Sequence, residues 1–275
     1  MSFRTHTFPN NRLAVAKAIT AIENNTSDVR QIVGKIHAHT GKAQVIGVTG
    51  SPGVGKSTLV NALIHTFREQ GKTVGVIAVD PSSPISGGAI LGDRIRMAEH
   101  ASDSGVYVRS LASRGHLGGL SQATARVVDV MDAAGIDKIV IETVGTGQSE
   151  VEIMDIAQTV LVVCAPGLGD DIQAAKAGIM EIADILVVNK ADMPLADKTV
   201  QQLNSALVLN PKEGWQIPIV RTVAQTQKGL QELTKTINDH HSQLNSSQRT
   251  DASIIRMRKL VANTAADYIR TYIEE

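Results

Sequence analysis

Nine residues near the start of the chain, Gly50-Ser51-Pro52-Gly53-Val54-Gly55-Lys56-Ser57-Thr58, follow a β-branched run and open a helical pattern. Gly50 to Ser57 fits the spacing G-x-x-x-x-G-K-S/T, and it stands in the strand–helix setting that such a phosphate-holding loop requires. Glycines at positions 50, 53 and 55 admit backbone conformations and close approaches that a side chain would block. The loop then turns several N–H groups toward an anion at the positive end of the next helix. In that chemistry Lys56 reaches the β- and γ-phosphates and the Ser57 hydroxyl binds Mg²⁺. Kinases, metal-loading chaperones and signalling switches all use such a loop, so other residues must choose among them.

The base is chosen at Asn189-Lys190-Ala191-Asp192, where an apolar run ends. The Asp192 carboxylate can accept from both N1–H and the exocyclic amine of guanine, a pair of donors that adenine lacks. A site built around that acceptor rejects the analogue that leaves it unpaired. Asn189 is expected to contact the base and brace the loop, with the Lys190 stem covering the ring. The bound nucleotide is therefore expected to be GTP or GDP. Between the two motifs, Glu142 ends another apolar run and Gly145 follows three positions later. Glu142 is expected at Mg²⁺, and the Gly145 N–H at the γ-phosphate, an interaction that hydrolysis ends. Asp80 closes the second β-branched run and Asp93 opens a later helical stretch, both able to face the metal or the attacking water. A water-orienting Gln directly after Gly145 is absent: Thr146 stands there and Gln148 lies beyond. Hydrolysis without a partner is expected to be slow, because positioning the water supplies much of the rate.

These side chains need a frame. Seven short runs, 43–49, 72–80, 105–110, 137–143, 159–165, 184–190 and 216–222, are almost wholly apolar and do not alternate. That is how strands covered on both faces read. Helical stretches fall between them, such as 56–71, ending on Gly71. The alternation predicts an α/β fold of the P-loop NTPase type, a mostly parallel sheet with helices on both faces. N-terminal helices and a C-terminal helical extension complete it. The expected organisation is a helical segment over 1–42 packed on the nucleotide domain, a GTP-binding domain over 43–240, and a linker with a terminal helix over 241–275 that could pair two copies. Within 11–25, Leu13, Ala14, Ala18, Ile19 and Ile22 are expected on one apolar face. Residues 1–22 lack acids and carry Arg4, Arg12 and Lys17, a faint trait of an organellar leader, but the amphipathic helix is the preferred reading.

Composition narrows the partners. Lys plus Arg equals Asp plus Glu at 27 each, which removes the basic excess typical of nucleic-acid binders. No apolar run approaches the ~20 residues of a membrane helix. One cysteine, Cys164, allows no intramolecular disulfide and points to a reducing, cytoplasmic setting. Metal loading would need clustered Cys or His ligands. Cys164 lies in an apolar run, His37 and His39 are two apart, and His240-His241 sits by the linker.

Four longer blocks are more specific than the phosphate loop: DPSSPISGGAILGDRIRM, RSLASRGHLGGLSQAT, ETVGTGQSE and PGLGDDIQAAKAGIMEIADILVVNKAD. They resemble the G-protein chaperones of adenosylcobalamin-dependent methylmalonyl-CoA mutase, the MeaB family, called ArgK in older naming. The similarity runs over nearly the whole chain. It implies a GTPase that binds a cobalamin-dependent acyl-CoA mutase, gates cofactor loading and protects the mutase from inactivation. It places Lys56 and Ser57 at phosphate and Mg²⁺, makes Asp80, Asp93 and Glu142 metal or switch residues, and assigns guanine to Asn189, Lys190 and Asp192. It also marks Asp170, Gln173 and Lys176 as residues that signal to the mutase. On spacing alone those three would form a solvated helix face. The resemblance further implies a homodimer through the C-terminal end, which is short here. Two departures stand out. Ser86 takes the place of a Thr before the glycines, and the loop after the last strand lacks the Ser-Ala pair that supports guanine. Arg109, Arg114 and His116 invite an arginine-finger role, against which stands a plain strand-end ion pair for Arg109. The alternatives are a metallochaperone GTPase and a kinase of the older arginine-transport naming.

Overall fold

The computed structural model describes residues 12–24, 26, 29–80, 98–100, 102–112, 119–143, 153–167, 180–209 and 214–244. Two helices come first, α1 (Arg12–Glu23) and α2 (Val29–Ile36). The order then runs β1 (Gln44–Thr49), α3 (Lys56–Glu69), β2 (Val74–Asp80), β3 (Val106–Ala112), α4 (Gly119–Ala133) and β4 (Lys138–Thr143). It continues with β5 (Thr159–Cys164), β6 (Ile185–Val188), α5 (Ala196–Leu209), β7 (Ile219–Arg221) and α6 (Leu230–Gln243). Six of the seven β-branched runs contain one strand each, and the seventh, 105–110, opens β3, which continues to Ala112.

The strands form one sheet in the order β3-β2-β4-β1-β5-β6-β7, every neighbouring pair parallel. Parallel pairing explains the unbroken apolar runs, since side chains of both parities are buried. In β6, Leu186 and Val188 join one core while Ile185 and Val187 join the other. The first core lies under α1, α2 and α4; the second lies under α3 and α6. After β1 the chain builds one half of the sheet through β2 and β3, returns to β4, then crosses to β5, β6 and β7. Strand order therefore reverses about β1, and the crevice beyond its carboxyl end is where open α/β sheets bind ligands.

α3 ends as its last glycine predicts. Gly71 has φ +73°, its N–H reaches Arg68 O at 2.9 Å and the Lys72 N–H reaches Phe67 O at 3.0 Å, the bond pair of a Schellman stop. In α1 the buried stripe is Val15, Ala18, Ile19 and Ile22, and Leu13 is 70% exposed. This corrects the expected face: the i, i+3, i+4, i+7 stripe begins at Val15, which places Leu13 outside it. α1 and α2 pack on α4. At the other end, α6 runs to Gln243, so His240 is helical and buried, not part of a linker. Its Nδ1 lies 2.9 Å from Thr159 Oγ1, and its ring meets Trp215 edge-on with centroids 4.8 Å apart. The terminal helix expected beyond residue 244 lies outside the described residues.

Candidate functional site

The phosphate loop leaves β1 through Gly50, at φ +139°. A Cβ there would stand 2.2 Å from Val163 O of β5, so only glycine fits this exit. Gly55 caps α3 in the left-handed region, at φ +93°, and a Cβ on it would meet Asn189 Nδ2 at 2.6 Å. The loop that holds phosphate and the segment expected to hold the base are therefore in direct contact, and glycine at 55 makes the contact possible. Lys56 is buried, and its Nζ donates to Gly50 O at 2.6 Å and Ser51 O at 3.0 Å. Those bonds fix the ammonium within the loop, at the positive end of α3.

Parallel pairing sets β4 beside β1, Val48 opposite Glu142. The register brings the Ser57 hydroxyl to Glu142, donating to Oε1 at 2.6 Å. Beneath this pair, Thr143 Oγ1 donates to Thr49 Oγ1 at 3.0 Å with both side chains buried, which pins the two strand ends together. A hydroxyl and a carboxylate converging at the first turn of α3 are hard oxygen donors, the set that Mg²⁺ prefers alongside phosphate oxygens. Those two side chains fit that ion.

At the end of β6, Asn189 is buried and spends its carboxamide on three partners. Its Nδ2 donates to Val54 O at 3.0 Å, while Oδ1 accepts from Thr222 Oγ1 and from the Ala224 N–H, each at 3.2 Å. Lys190, at φ +55°, sends Nζ to Gly53 O at 2.8 Å, which lays its stem along the loop. Asp192 is exposed beside them. Thr222 and Ala224 are residues that sequence reasoning misses. The Ser-Ala signal is absent from Arg221-Thr222-Val223-Ala224, yet Ala224 contributes only a backbone N–H, which any residue type but proline supplies.

Gly50 to Ser57, Glu142, Asn189 and Lys190 thus meet around one crevice. Asp80 is the last residue of β2. Asp93, Gly145, Asp170, Gln173 and Lys176 lie outside the described residues, as do Ser86, Arg114, His116, Thr146 and Gln148. Arg109 pairs with Glu23 of α1 and donates to Thr20 Oγ1 at 3.3 Å, as the ion-pair reading expects, but it stands in the middle of β3 and not at the strand's end. Cys164 is buried in β5. Among the described residues, no group of three or more His, Cys, Asp and Glu side chains stands together as a metal site, and no helix is long and apolar enough to cross a membrane.

Comparison with known proteins agrees with this geometry. A family model described as methylmalonyl Co-A mutase-associated GTPase MeaB matches residues 15–273. A putative GTPase of Pyrococcus abyssi is 52% identical over 242 residues, covering 86% of this chain and 75% of that protein. GTPase ArgK of Escherichia coli is 34% identical over 273 residues, covering 96% of this chain and 80% of its own length. Among solved structures, that of a LAO/AO transport system kinase superposes with a TM-score of 0.76 at 26% identity, covering 95% of this chain and 81% of that one.

Proposed function

The chain belongs to the MeaB family of methylmalonyl Co-A mutase-associated GTPases, and from that premise we propose that it chaperones an adenosylcobalamin-dependent acyl-CoA mutase, gating cofactor loading and protecting the loaded enzyme. The observation that carries the GTPase part of the reading is the close approach of Asn189 to the phosphate loop, its Nδ2 donating to Val54 O at 3.0 Å beside Gly55; the mutase part rests on the family match. That approach lets one nucleotide bridge the phosphate loop and a segment bearing a guanine-type acceptor.

GTP lies in the crevice with its phosphates in the loop from Gly50 to Thr58. Asp192 accepts from the guanine edge, and Asn189 and Lys190 brace and cover the ring. Ser57 and Glu142, with Asp80 and Asp93, would hold Mg²⁺, which would supply charge stabilisation to the transferring phosphoryl group. Lys56 draws charge from the β- and γ-phosphates, and the Gly145 N–H reads the γ-phosphate. Catalysis rests on positioning and electrostatics, with no covalent intermediate. Thr146 follows Gly145 where a water-orienting Gln is common, so hydrolysis without a partner is slow and the mutase accelerates it. Asp170, Gln173 and Lys176 carry the nucleotide state to that partner. The protein works in the cytoplasm as a homodimer through its C-terminal end.

The test is GTP turnover by the purified protein, alone and with an adenosylcobalamin-dependent acyl-CoA mutase from the same source. A slow basal rate that the mutase raises supports the reading. A rate unmoved by the mutase, with no complex on a sizing column, leaves a GTPase with a different client. Preference for ATP with transfer to an acceptor would favour a kinase, the activity for which the structural neighbour is named.

A further inference from the structure

At the mouth of the crevice the seam between β1 and β4 is closed by a side-chain bond. The ladder between these two strands ends at Val48 and Glu142. One residue further on, each strand turns its pairing outward, Thr49 to Val162 of β5 and Thr143 to Val79 of β2. At this level the hydroxyls of Thr49 and Thr143, buried and 3.0 Å apart, join the two halves of the sheet. Side chains alternate along a strand, so this bond and the Ser57–Glu142 bond lie on opposite faces of the same seam. Glu142 shares its face with Val140, in the core under α3, whereas Thr143 shares its face with Ile139 and Ile141, in the core under α4.

The two halves deliver different parts of the site. β1 leads into Gly50 and on to Ser57, while Glu142 lies on β4. The 2.6 Å between the Ser57 hydroxyl and Glu142 Oε1 therefore depends on how far apart the strand tips stand. A shared proton holds the threonine oxygens at 3.0 Å, where two methyl groups would need about 3.5–4.0 Å. We propose that Thr49 and Thr143 are positioning residues for the metal–nucleotide site: their hydrogen bond sets the width of the β1–β4 seam behind Ser57 and Glu142. The inference rests on the GTPase reading above and adds two residues to which neither the phosphate-loop pattern nor the guanine motif gives a role. Both side chains lie on the face of the sheet away from Glu142, so they act through the two metal donors and not on the nucleotide.

The experiment is the affinity of the full-length protein for a fluorescent GTP analogue as Mg²⁺ is titrated, with parallel measurements in excess EDTA and of thermal unfolding. Thr143→Val takes the bonding partner from the buried Thr49 hydroxyl. It should lower Tm and raise the Mg²⁺ concentration for half-saturation by about fivefold, the worth of one neutral hydrogen bond. Adding Thr49→Val removes the orphaned hydroxyl, so Tm should recover toward the wild-type value. The facing methyl groups still spread the seam, so the raised Mg²⁺ requirement should persist in this double variant. Thr143→Ser keeps a hydroxyl and should need Mg²⁺ within about twofold of wild type. Affinity in EDTA should change by less than about twofold throughout, because Gly50 stays seated against Val163 O on the β5 side. If Thr143→Val folds poorly, the double variant and Thr143→Ser make the comparison. An unchanged Mg²⁺ requirement in the valine variants would overturn the proposal. So would its recovery together with Tm in the double variant, or an equal loss of affinity in EDTA, either of which would reduce the pair to a support of the sheet. Failure of the wild-type protein to bind GTP at all would instead remove the reading on which the inference stands.

Discussion

A carboxylate only accepts hydrogen bonds, whereas a carboxamide accepts at one end and donates at the other. At Asp192 that difference should decide the base. Asp192→Asn turns one acceptor into a donor facing a guanine donor, which costs roughly 3 kcal/mol, or about a hundredfold in GTP affinity. Xanthine carries an acceptor where guanine carries its amine, so the variant should prefer xanthosine triphosphate, as competition binding would reveal. Undiminished GTP preference would contradict the assignment. A second residue-scale test concerns stability. Lys138 donates to Gln44 Oε1 and to Asn238 Oδ1, and its ammonium stands 5.3 Å from the Phe67 ring centre. Burial, with help from Lys72 and against the pull of Asp137, lowers its pKa from 10.5 to about 8. Between those two values the unfolded chain holds more protons than the folded one, so stability rises with pH across that window, and below pH 8 the cost is present in full. The half-buried position screens the effect to on the order of 1 kcal/mol. Denaturant unfolding at about pH 7 and about pH 9.5 should show this gain in the wild type and its loss in Lys138→Met, because the thioether has no proton to release.

At the scale of elements, the sheet was legible because burial on both faces leaves a local mark. Every strand of the sheet is a short β-branched run, and the strand–loop–helix around Gly50 to Ser57 carries its own chemistry. What escaped sequence reading depends on contacts far apart in the chain. The hub around Asn189 uses a backbone N–H of Ala224, which leaves no residue signature. His240 looks like part of a polar linker until Thr159 and Trp215 close around it. Asp132 is the clearest case. It lies in the last turn of α4, where a carboxylate opposes the helix dipole, and it is buried. Its position makes sense only with the N–H groups of Gly41, Lys42 and Ala43, which reach it at 2.5, 3.1 and 2.9 Å. Those bonds fasten the link between the N-terminal helices and β1. Asp132→Ala should cost about 3 kcal/mol and lower Tm by about 10 °C for a domain of this size. Amide exchange should accelerate at residues 41–43, while GTP affinity stays unchanged because the anchor lies at the opposite end of β1. Loss of nucleotide binding at full stability would contradict that separation.

For the molecule as a whole, the question is what accelerates hydrolysis when Thr146, not Gln, follows Gly145. Arg109 is the one arginine of the proposed finger segment whose position is described, and the sheet carries it away from the phosphates. Its register partners run through Ile77 and Ile141 to Gly47, placing it level with the middle of β1. Three strand spacings across and three residues down put it about 17 Å from Gly50. Its guanidinium is already engaged by Glu23, so the edge of the sheet uses Arg109 to dock α1, as it uses Tyr107 beneath Arg12, 5.8 Å from the ring centre. Arg109→Ala strands a half-buried Glu23 and should cost about 2 kcal/mol of stability. Basal GTP turnover, and any acceleration by the proposed mutase partner, should both remain, because Arg109 stands too far from the phosphate loop to act on the γ-phosphate. Thermal unfolding and turnover measured on one preparation separate the two effects. If stimulation collapsed while the fold held, α1 and β3 would have to move during the cycle to deliver that arginine, and the N-terminal helices would become part of the switch.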